Sequence, residues 1–202
     1  MSEPDGTVFL VDDDPAIRDS LSLLLALKGI RTQVFSSAES FIATVPADSC
    51  GCVLTDLRMP GMTGLELQTV LRQRKIDLPV VVLTAHGDVA TVRAALKNGA
   101  FDYLEKPIED ETLLDVLRNA LRADQERRAS TVARSTMDER LARLTPRERE
   151  VLSLLGTGHQ NVDIAARLGI SPRTVEVHKA RIMTKLDCRS LADLIRIVLG
   201  KE

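Results

Sequence analysis

Short runs rich in Val, Leu and Phe alternate with helical patterns through the first half of the chain, and this alternation restricts the fold more than any other feature. Five runs have the length and composition of strands: TVFLV (7–11), RTQVF (31–35), CVLT (52–55), PVVVLT (79–84) and FDYL (101–104). The first, third and fourth are nearly all apolar, as strands covered on both faces tend to be. The pattern therefore predicts a parallel sheet enclosed by helices.

The segments between these runs have apolar residues at helical spacing. Ile17, Leu21 and Leu24 recur at intervals of four and three residues, and Gly29 supplies a C-terminal stop. Further helices are predicted near 37–45, 64–74, 88–98 and from 110 onward. Five strand–helix units in series predict an α/β fold with a doubly wound, five-stranded parallel sheet. Ligand sites on such sheets lie at the carboxyl ends of the strands.

The pattern changes after Leu121. Residues 124–140 include few apolar residues and many charged ones, which predicts a linker that is partly helical as an extension of the preceding helix. From Leu144 the pattern is purely helical, with helices predicted at 146–156, 160–168, 172–186 and 189–199. We therefore predict a domain at 1–123, a linker at 124–140 and a small all-α domain of four helices at 141–202.

The two halves of the chain also differ in charge. Residues 1–123 have 12 Lys and Arg against 18 Asp and Glu, a net charge of −6, whereas residues 124–202 have 15 against 11, a net charge of +4. This asymmetry indicates an acidic module joined to one that meets a polyanion. Aromatic residues make up only 2% of the chain, which argues against base stacking on single-stranded nucleic acid.

Cysteine content and apolar run lengths restrict the environment of the protein. Cys50, Cys52 and Cys188 form neither a disulfide framework nor a zinc-binding pattern, so we expect reduced thiols that serve in packing. No apolar run approaches the ~18 residues of a membrane span, and the N-terminus has no basic leader followed by an apolar segment. We therefore expect a cytoplasmic protein that makes no membrane contact.

Polar residues follow the predicted strands in a set. Asp12 and Asp13 follow the first strand, Asp56 the third, Thr84 ends the fourth and Lys106 follows the fifth. Carboxylates gathered at one sheet edge repel one another unless a cation is present, and Mg²⁺ prefers such oxygen ligands beside phosphate. A carboxylate can also act as a nucleophile that forms an aspartyl phosphate. Each residue alone has a structural explanation, such as a helix N-terminal acidic cluster for the aspartates.

Four segments in order resemble the receiver domain of two-component response regulators: VFLVDDDPAIR, VLTDLRMPGMTGLEL, VVVLTAHGD and FDYLEKP. The resemblance covers residues 7–123. It implies that Asp56 accepts a phosphoryl group and that Asp12 and Asp13 bind Mg²⁺. Asp56 itself and the backbone carbonyl of Arg58 would complete the protein ligands of the metal.

The same resemblance assigns roles to three further residues. Thr84 and Lys106 match the residues that contact the phosphoryl group, and Tyr103 matches an aromatic switch residue. The Lys106–Pro107 peptide bond corresponds to one that is usually cis in this family. The resemblance also implies a regulator that phosphorylates and dephosphorylates itself at aspartate, not an enzyme with a separate substrate.

A different phosphotransferase class fits less well. Haloacid-dehalogenase-type enzymes use an Asp nucleophile and Mg²⁺ on a parallel sheet, and they carry D-x-D-x-T/V after the first strand. The corresponding stretch here, 12–16, has Ala16 at the last position. That family also gives no reason for Asp56.

The segment LTPREREVLSLLGTGHQNVDIAARLGISPRTVEVHKARIMTKL resembles the LuxR-type helix-turn-helix of FixJ/NarL regulators, over about residues 141–200. Its helix at 172–186 has Val175, Ile182 and Leu186 on one face, which we expect to pack inward. Helix-turn-helix proteins place this second helix in the major groove of double-stranded DNA. The residues predicted to face the DNA are Arg173, Thr174, Glu176, Val177, Lys179, Ala180, Arg181, Thr184 and Lys185.

Together these resemblances predict a response regulator that acts as a transcription factor. A sensor histidine kinase would phosphorylate Asp56, phosphorylation would favour a homodimer through the surface of 88–122, and the DNA-bound dimer would act with RNA polymerase. An alternative is a phosphorylation-independent DNA-binding regulator whose receiver serves only in dimerisation. A third hypothesis is a phosphotransfer sink in which the C-terminal part is incidental.

Overall fold

The computed structural model describes residues 6–85, 97 and 99–200. The chain forms two compact units, Met1–Ala129 and Ser130–Glu202. No helix in the described part of the chain is both long enough and apolar enough to cross a membrane.

The first unit is built on a five-stranded sheet. Its strands are β1 (Thr7–Val11), β2 (Arg31–Phe35), β3 (Gly51–Asp56), β4 (Val80–Thr84) and β5 (Asp102–Glu105). They lie in the order β2-β1-β3-β4-β5, and every neighbouring pair is parallel. The predicted fold class is therefore confirmed. The strand order is that of a doubly wound sheet, in which the chain adds strands on one side of β1 and then on the other.

Alternate residues of each strand supply two separate cores. Phe9 and Val11 of β1 point to one face of the sheet, whereas Val8 and Leu10 point to the other, because side chains alternate along a strand. Both faces are covered by helices, so β4 is buried along its whole length. This double coverage explains why the strand was nearly all apolar in sequence.

Helices α1 (Pro15–Leu27), α2 (Ala38–Thr44) and α3 (Gly64–Gln73) connect the strands. Each begins at a side chain that caps its free N–H groups, namely Asp14, Ser37 and Thr63. The helix predicted at 88–98 lies outside the described residues except for Lys97. The expected dimer surface of 88–122 includes the same stretch.

Helix α4 (Asp110–Ala142) is continuous through residues 124–140, which were predicted to be a partly helical linker. Nine of its 17 residues are Arg, Ala, Glu or Gln, whose helix propensities are high, so the segment is helical without an apolar stripe. Its side chain Asp124 bonds to the first residue of β3, and Arg128 bonds to the loop that precedes this strand, so both belong to the first unit.

The second unit contains four further helices: α5 (Pro146–Gly156), α6 (Asn161–Leu168), α7 (Pro172–Leu186) and α8 (Leu191–Leu199). All four were predicted, with bounds that differ by at most two residues. Thr145 and Glu148 form a capping box at the start of α5, and Ser171 caps α7. The core of this unit includes Val175 and Ile182, both fully buried, as the sequence pattern predicted.

Candidate functional site

The register of the sheet brings the polar strand ends together. Val11 pairs with Thr55, so the next residues along the chain, Asp12 and Asp56, lie side by side at the carboxyl edge of the sheet. Asp56 in turn pairs with Leu83, and Thr84 follows on the neighbouring strand. Parallel pairing in register therefore gathers residues that lie far apart in sequence at one edge of the sheet.

Lys106 lies between the two carboxylates. Its Nζ donates to Asp56 Oδ1 at 2.7 Å and to Asp12 Oδ2 at 3.1 Å. The lysine is placed there because its backbone N–H donates to the Thr84 carbonyl oxygen at 2.7 Å, which continues the pairing of β4 and β5 by one residue. The Lys106–Pro107 bond is cis, as the resemblance implied. The structure thus joins three of the predicted residues by direct ion pairs.

The pKa values of this cluster follow from burial and charge. Burial raises the pKa of Asp12, although the Asp14 N–H and Lys106 oppose that shift, and Asp56 adds to it. Burial alone would lower the pKa of Lys106, but Asp56 and Asp12 raise it overall above its ordinary value. The lysine is therefore a cation at neutral pH, and additional positive charge nearby would stabilise the ionised form of Asp12.

A divalent cation fits the charges at this edge. Asp12, Asp56 and Lys106 together leave a net charge of −1, which becomes −2 with the exposed Asp13. All the acidic donors are hard oxygen ligands of the kind that Mg²⁺ prefers. Within residues 6–85, 97 and 99–200, however, no three His, Cys, Asp or Glu side chains are grouped closely enough to hold a metal ion.

Thr84 and Tyr103 are the remaining predicted residues of the first unit. Thr84 is buried at the end of β4, next to the strand that ends in Asp56. Tyr103 is half-buried against the core on the α2 and α3 face, and its hydroxyl is enclosed with no hydrogen-bond partner among the described residues. The aromatic ring is therefore packed inward in this structure.

The loop after Asp56 is held at three points. The Arg58 N–H donates to Asp56 Oδ2 at 2.7 Å, and the capping box of Thr63 and Glu66 closes the far end. Between them, Glu39 of α2 accepts from the Met62 N–H at 2.9 Å. Sequence patterns did not indicate Glu39, because its position in the first turn of a helix already has an ordinary explanation.

Gly61 and Gly64 allow the close approaches in this loop. Gly61 has φ +80°, and a Cβ there would lie 2.8 Å from the Glu39 Oε1 atom. A Cβ at Gly64 would lie 2.5 Å from the Asp56 carbonyl oxygen. Substitution at either position would displace the loop that includes the Arg58 carbonyl.

A second ion cluster lies at the opposite edge of the sheet. The buried Asp124 carboxylate accepts from the Gly51 N–H at 3.0 Å, from Arg127 at 2.6 Å and from Arg128 Nε at 2.7 Å. Arg128 also donates to the carbonyl oxygens of Asp48 and Ser49. The cluster fixes α4 to the start of β3, and it was not predicted because all its charged members lay in the expected linker.

In the second unit, α7 presents one face to solvent. Most of the residues predicted to face DNA are exposed, and Val177 is 44% exposed despite its apolar side chain; the exposed set is Arg173, Glu176, Val177, Ala180, Arg181 and Thr184. Thr174 and Lys179 are half-buried, and Thr174 lies within hydrogen-bond distance of the capping residue Ser171. Short side chains between two arginines allow the backbone of this helix to approach base edges.

Lys185 differs from the other predicted contacts. Its Nζ lies 2.7 Å from Glu148 Oε2 and donates to the Arg143 carbonyl oxygen at 3.1 Å. The Glu148 side chain is only 3% exposed, and the hydrogen bond from Lys185, followed by those from Thr145, keeps the pKa of Glu148 below its ordinary value. The ammonium is thus directed into the domain, and the predicted position of Lys185 at the DNA stays a prediction.

The chain matches two protein families. Residues 8–118 match the response regulator receiver domain, and residues 142–198 match the luxR family of bacterial regulatory proteins. Similar curated proteins include the transcriptional regulatory protein FixJ of Azorhizobium caulinodans, 45% identical over 95% of this chain and 91% of the relative. FixJ of Bradyrhizobium diazoefficiens is 40% identical over 96% of this chain and 95% of the relative.

Solved structures agree with these matches. The response regulator StyR is 40% identical, with a TM-score of 0.86 over 96% of this chain and 98% of that one. Full-length FixJ from B. japonicum is 39% identical, with a TM-score of 0.62 over 98% of both chains.

Proposed function

The chain belongs to the two-component response regulators that join a receiver domain to a LuxR-type DNA-binding domain, and we propose that phosphorylation of Asp56 controls its binding to DNA. The observation that supports this proposal is the ion-pair cluster of Asp12, Asp56 and Lys106 at the carboxyl edge of the sheet. A cationic lysine 2.7 Å from one carboxylate oxygen lies where it can stabilise negative charge on a phosphoryl group that is transferred to that carboxylate.

In the proposed reaction, a carboxylate oxygen of Asp56 attacks the phosphorus atom of a phosphohistidine on a sensor histidine kinase. A new O–P bond forms, the N–P bond breaks, and its electron pair remains on the histidine nitrogen. Lys106 stabilises the negative charge on the phosphoryl oxygens, and the Thr84 hydroxyl donates to one of them. The Arg58 N–H holds the acceptor carboxylate in place through Oδ2.

Mg²⁺ would neutralise charge on the phosphoryl oxygens when bound, and its proposed ligands are Asp12, Asp13, Asp56 and the Arg58 carbonyl. Asp12 suits this role because its carboxylate is buried beside Asp56, and a cation would offset the repulsion between the two negative charges. Glu39 holds the loop that includes Arg58 through a hydrogen bond from the Met62 N–H.

The phosphoryl group adds at least about one negative charge at the sheet edge, which draws Thr84 toward it and changes the packing of Tyr103. We propose that this shift favours a homodimer and an active state that already exists as a minor population. In that state α7 would enter the major groove, and the dimer would act with RNA polymerase at a promoter.

The test of this proposal is phosphoryl labelling. The wild-type protein, incubated with acetyl phosphate and Mg²⁺, should gain the mass of one phosphoryl group, and Asp56→Asn should gain none. Asp102→Asn is the matched control, since Asp102 is also an aspartate of the same unit but lies at the start of β5. Labelling of Asp56→Asn equal to wild type would overturn the mechanism, and labelling without any change in DNA affinity would favour the phosphorylation-independent alternative.

A further inference from the structure

The C-terminal end of helix α7 is fixed by charged side chains from two other segments of the second unit. Lys185, in the last turn of α7, forms its ion pair with the buried Glu148 of α5. One residue further, the Leu186 carbonyl oxygen accepts from Arg140 Nη1 at 3.1 Å, and Asp187 accepts from Arg140 Nη2 at 3.1 Å. The Lys185–Glu148 ion pair and the Arg140 hydrogen bonds therefore both fix the C-terminal end of the helix that is proposed to enter the major groove of DNA.

Glu148 forms hydrogen bonds with Thr145 in addition to its ion pair with Lys185. Its Oε2 accepts from the Thr145 N–H at 2.8 Å as well as from Lys185 at 2.7 Å. Its own N–H donates to Thr145 Oγ1 at 3.3 Å, so the same residue starts α5 and fixes α7. Because a buried carboxylate without its cation is strongly unfavourable, Lys185 cannot leave Glu148 to bind a phosphate without cost.

We propose that Lys185, through Glu148, is a positioning residue for the DNA-binding helix and does not neutralise a DNA phosphate, and that Arg140 is a second positioning residue at the same helix end. This inference rests on the proposed binding of α7 to DNA. The exposed Arg173 and Arg181 supply phosphate contacts, while the buried ion pair sets the angle at which Val177 and its neighbours meet base edges.

Salt dependence separates positioning from phosphate contact. Each neutralised phosphate adds about 0.9 to the slope of log K against log salt concentration. A residue that only positions the helix leaves that slope unchanged and acts mainly on sequence-specific binding. The full chain, with Mg²⁺ and beryllofluoride, is used first to select a duplex from a random library; a scrambled duplex of the same composition measures non-specific binding.

The decisive variants are Lys185→Met and Glu148→Gln. Each is expected to weaken binding to the selected duplex by about tenfold, to change binding to the scrambled duplex less than twofold, and to leave the salt slope at the wild-type value over roughly 50–200 mM KCl. For Glu148→Gln this loss occurs although the variant removes a negative charge, which by electrostatics alone would strengthen DNA binding. Lys185→Arg keeps the ion pair and should retain wild-type selectivity.

Arg181→Met is the matched control, because it removes one cation from the exposed face of the same helix. Arg181→Met should weaken binding to both duplexes and reduce the slope of log K against log salt concentration by about 0.9. If Lys185→Met behaves like Arg181→Met while Glu148→Gln binds as wild type, Lys185 is a phosphate contact and the proposal is wrong.

Arg140→Met keeps the test decisive if the buried pair proves necessary for folding. Its partner Asp187 is 75% exposed, so the fold should persist, as helical circular dichroism can establish. Loss of selectivity at constant slope supports the proposal, and unchanged selectivity overturns it for Arg140. If the wild-type chain selects no duplex at all, the proposed DNA-binding function fails before the positioning residues are tested.

Discussion

Replacing Asp124 with alanine is expected to destabilise the first unit by about 3 kcal/mol, although this residue lies far from the proposed phosphorylation site. Asp124 is 1% exposed and accepts one backbone and two arginine hydrogen bonds. Alanine would leave the buried Gly51 N–H without its acceptor, at a cost of about 1–3 kcal/mol.

The two arginine interactions contribute less than a fully buried pair would. The side chains of Arg127 and Arg128 are 38% and 27% exposed, so water can replace part of the hydrogen bonding that they lose when Asp124 is removed. We therefore assign about 0.5–1 kcal/mol to each arginine interaction. The sum is about 2–5 kcal/mol, and a loss of about 3 kcal/mol corresponds to a decrease in Tm of about 10 °C for a unit of this size. Asp124→Asn keeps one acceptor for the Gly51 N–H, so its loss of unfolding free energy should be about half that of Asp124→Ala.

The single tyrosine provides a specific assay. Tyr103 is the only tyrosine and the chain has no tryptophan, so tyrosine fluorescence during urea unfolding of the full chain reports on the first unit alone. Asp77→Asn is the matched control, because Asp77 also pairs with Arg127, at 3.5 Å, but is 68% exposed; it should cost less than about 0.5 kcal/mol. An equal decrease in the free energy of unfolding for Asp124→Ala and Asp77→Asn would refute the structural role assigned to the buried Asp124 cluster.

Two further predictions concern titratable groups. Lys185 lowers the pKa of Glu148, so the stability that ionised Glu148 contributes should be fully present above its ordinary pKa of 4.5 and be lost as pH falls through the lowered value. Glu148→Gln should therefore reduce the loss of stability at acid pH, measured by helical circular dichroism. An unchanged loss of stability at acid pH would contradict the assignment. Burial raises the pKa of Cys52 to about 12, so a thiol reagent at neutral pH should modify the exposed Cys50 rapidly and Cys52 only after unfolding, as peptide mapping would show.

Much of the fold could be predicted from sequence because it depends on local patterns. Apolar runs located all five strands, and apolar residues at helical spacing located the helices of the second unit. The polar residues at strand ends followed from the same reasoning, since parallel strands place their carboxyl ends at one edge. Lys106 is the clearest example, because its position one residue beyond β5 brings it to Asp56.

Long-range polar pairs could not be predicted in this way. Asp124 bonds to Gly51, 73 residues away, and Lys185 bonds to Glu148, 37 residues away. Hydrophobic periodicity has no information about which charge meets which, so Lys185 was assigned to DNA along with its neighbours on the helix. The same limit applies to Glu39, whose contact with the loop near Asp56 depends on tertiary packing.

The central claim is that chemistry at Asp56 controls DNA binding, and one measurement tests it most directly. The affinity of the full chain for its selected duplex is measured with Mg²⁺ alone and with Mg²⁺ plus beryllofluoride, for wild type and for Asp56→Asn. Beryllofluoride should increase wild-type affinity by about tenfold and leave the variant unchanged, within the usual range of allosteric coupling. Equal wild-type affinities in the two conditions would contradict the account.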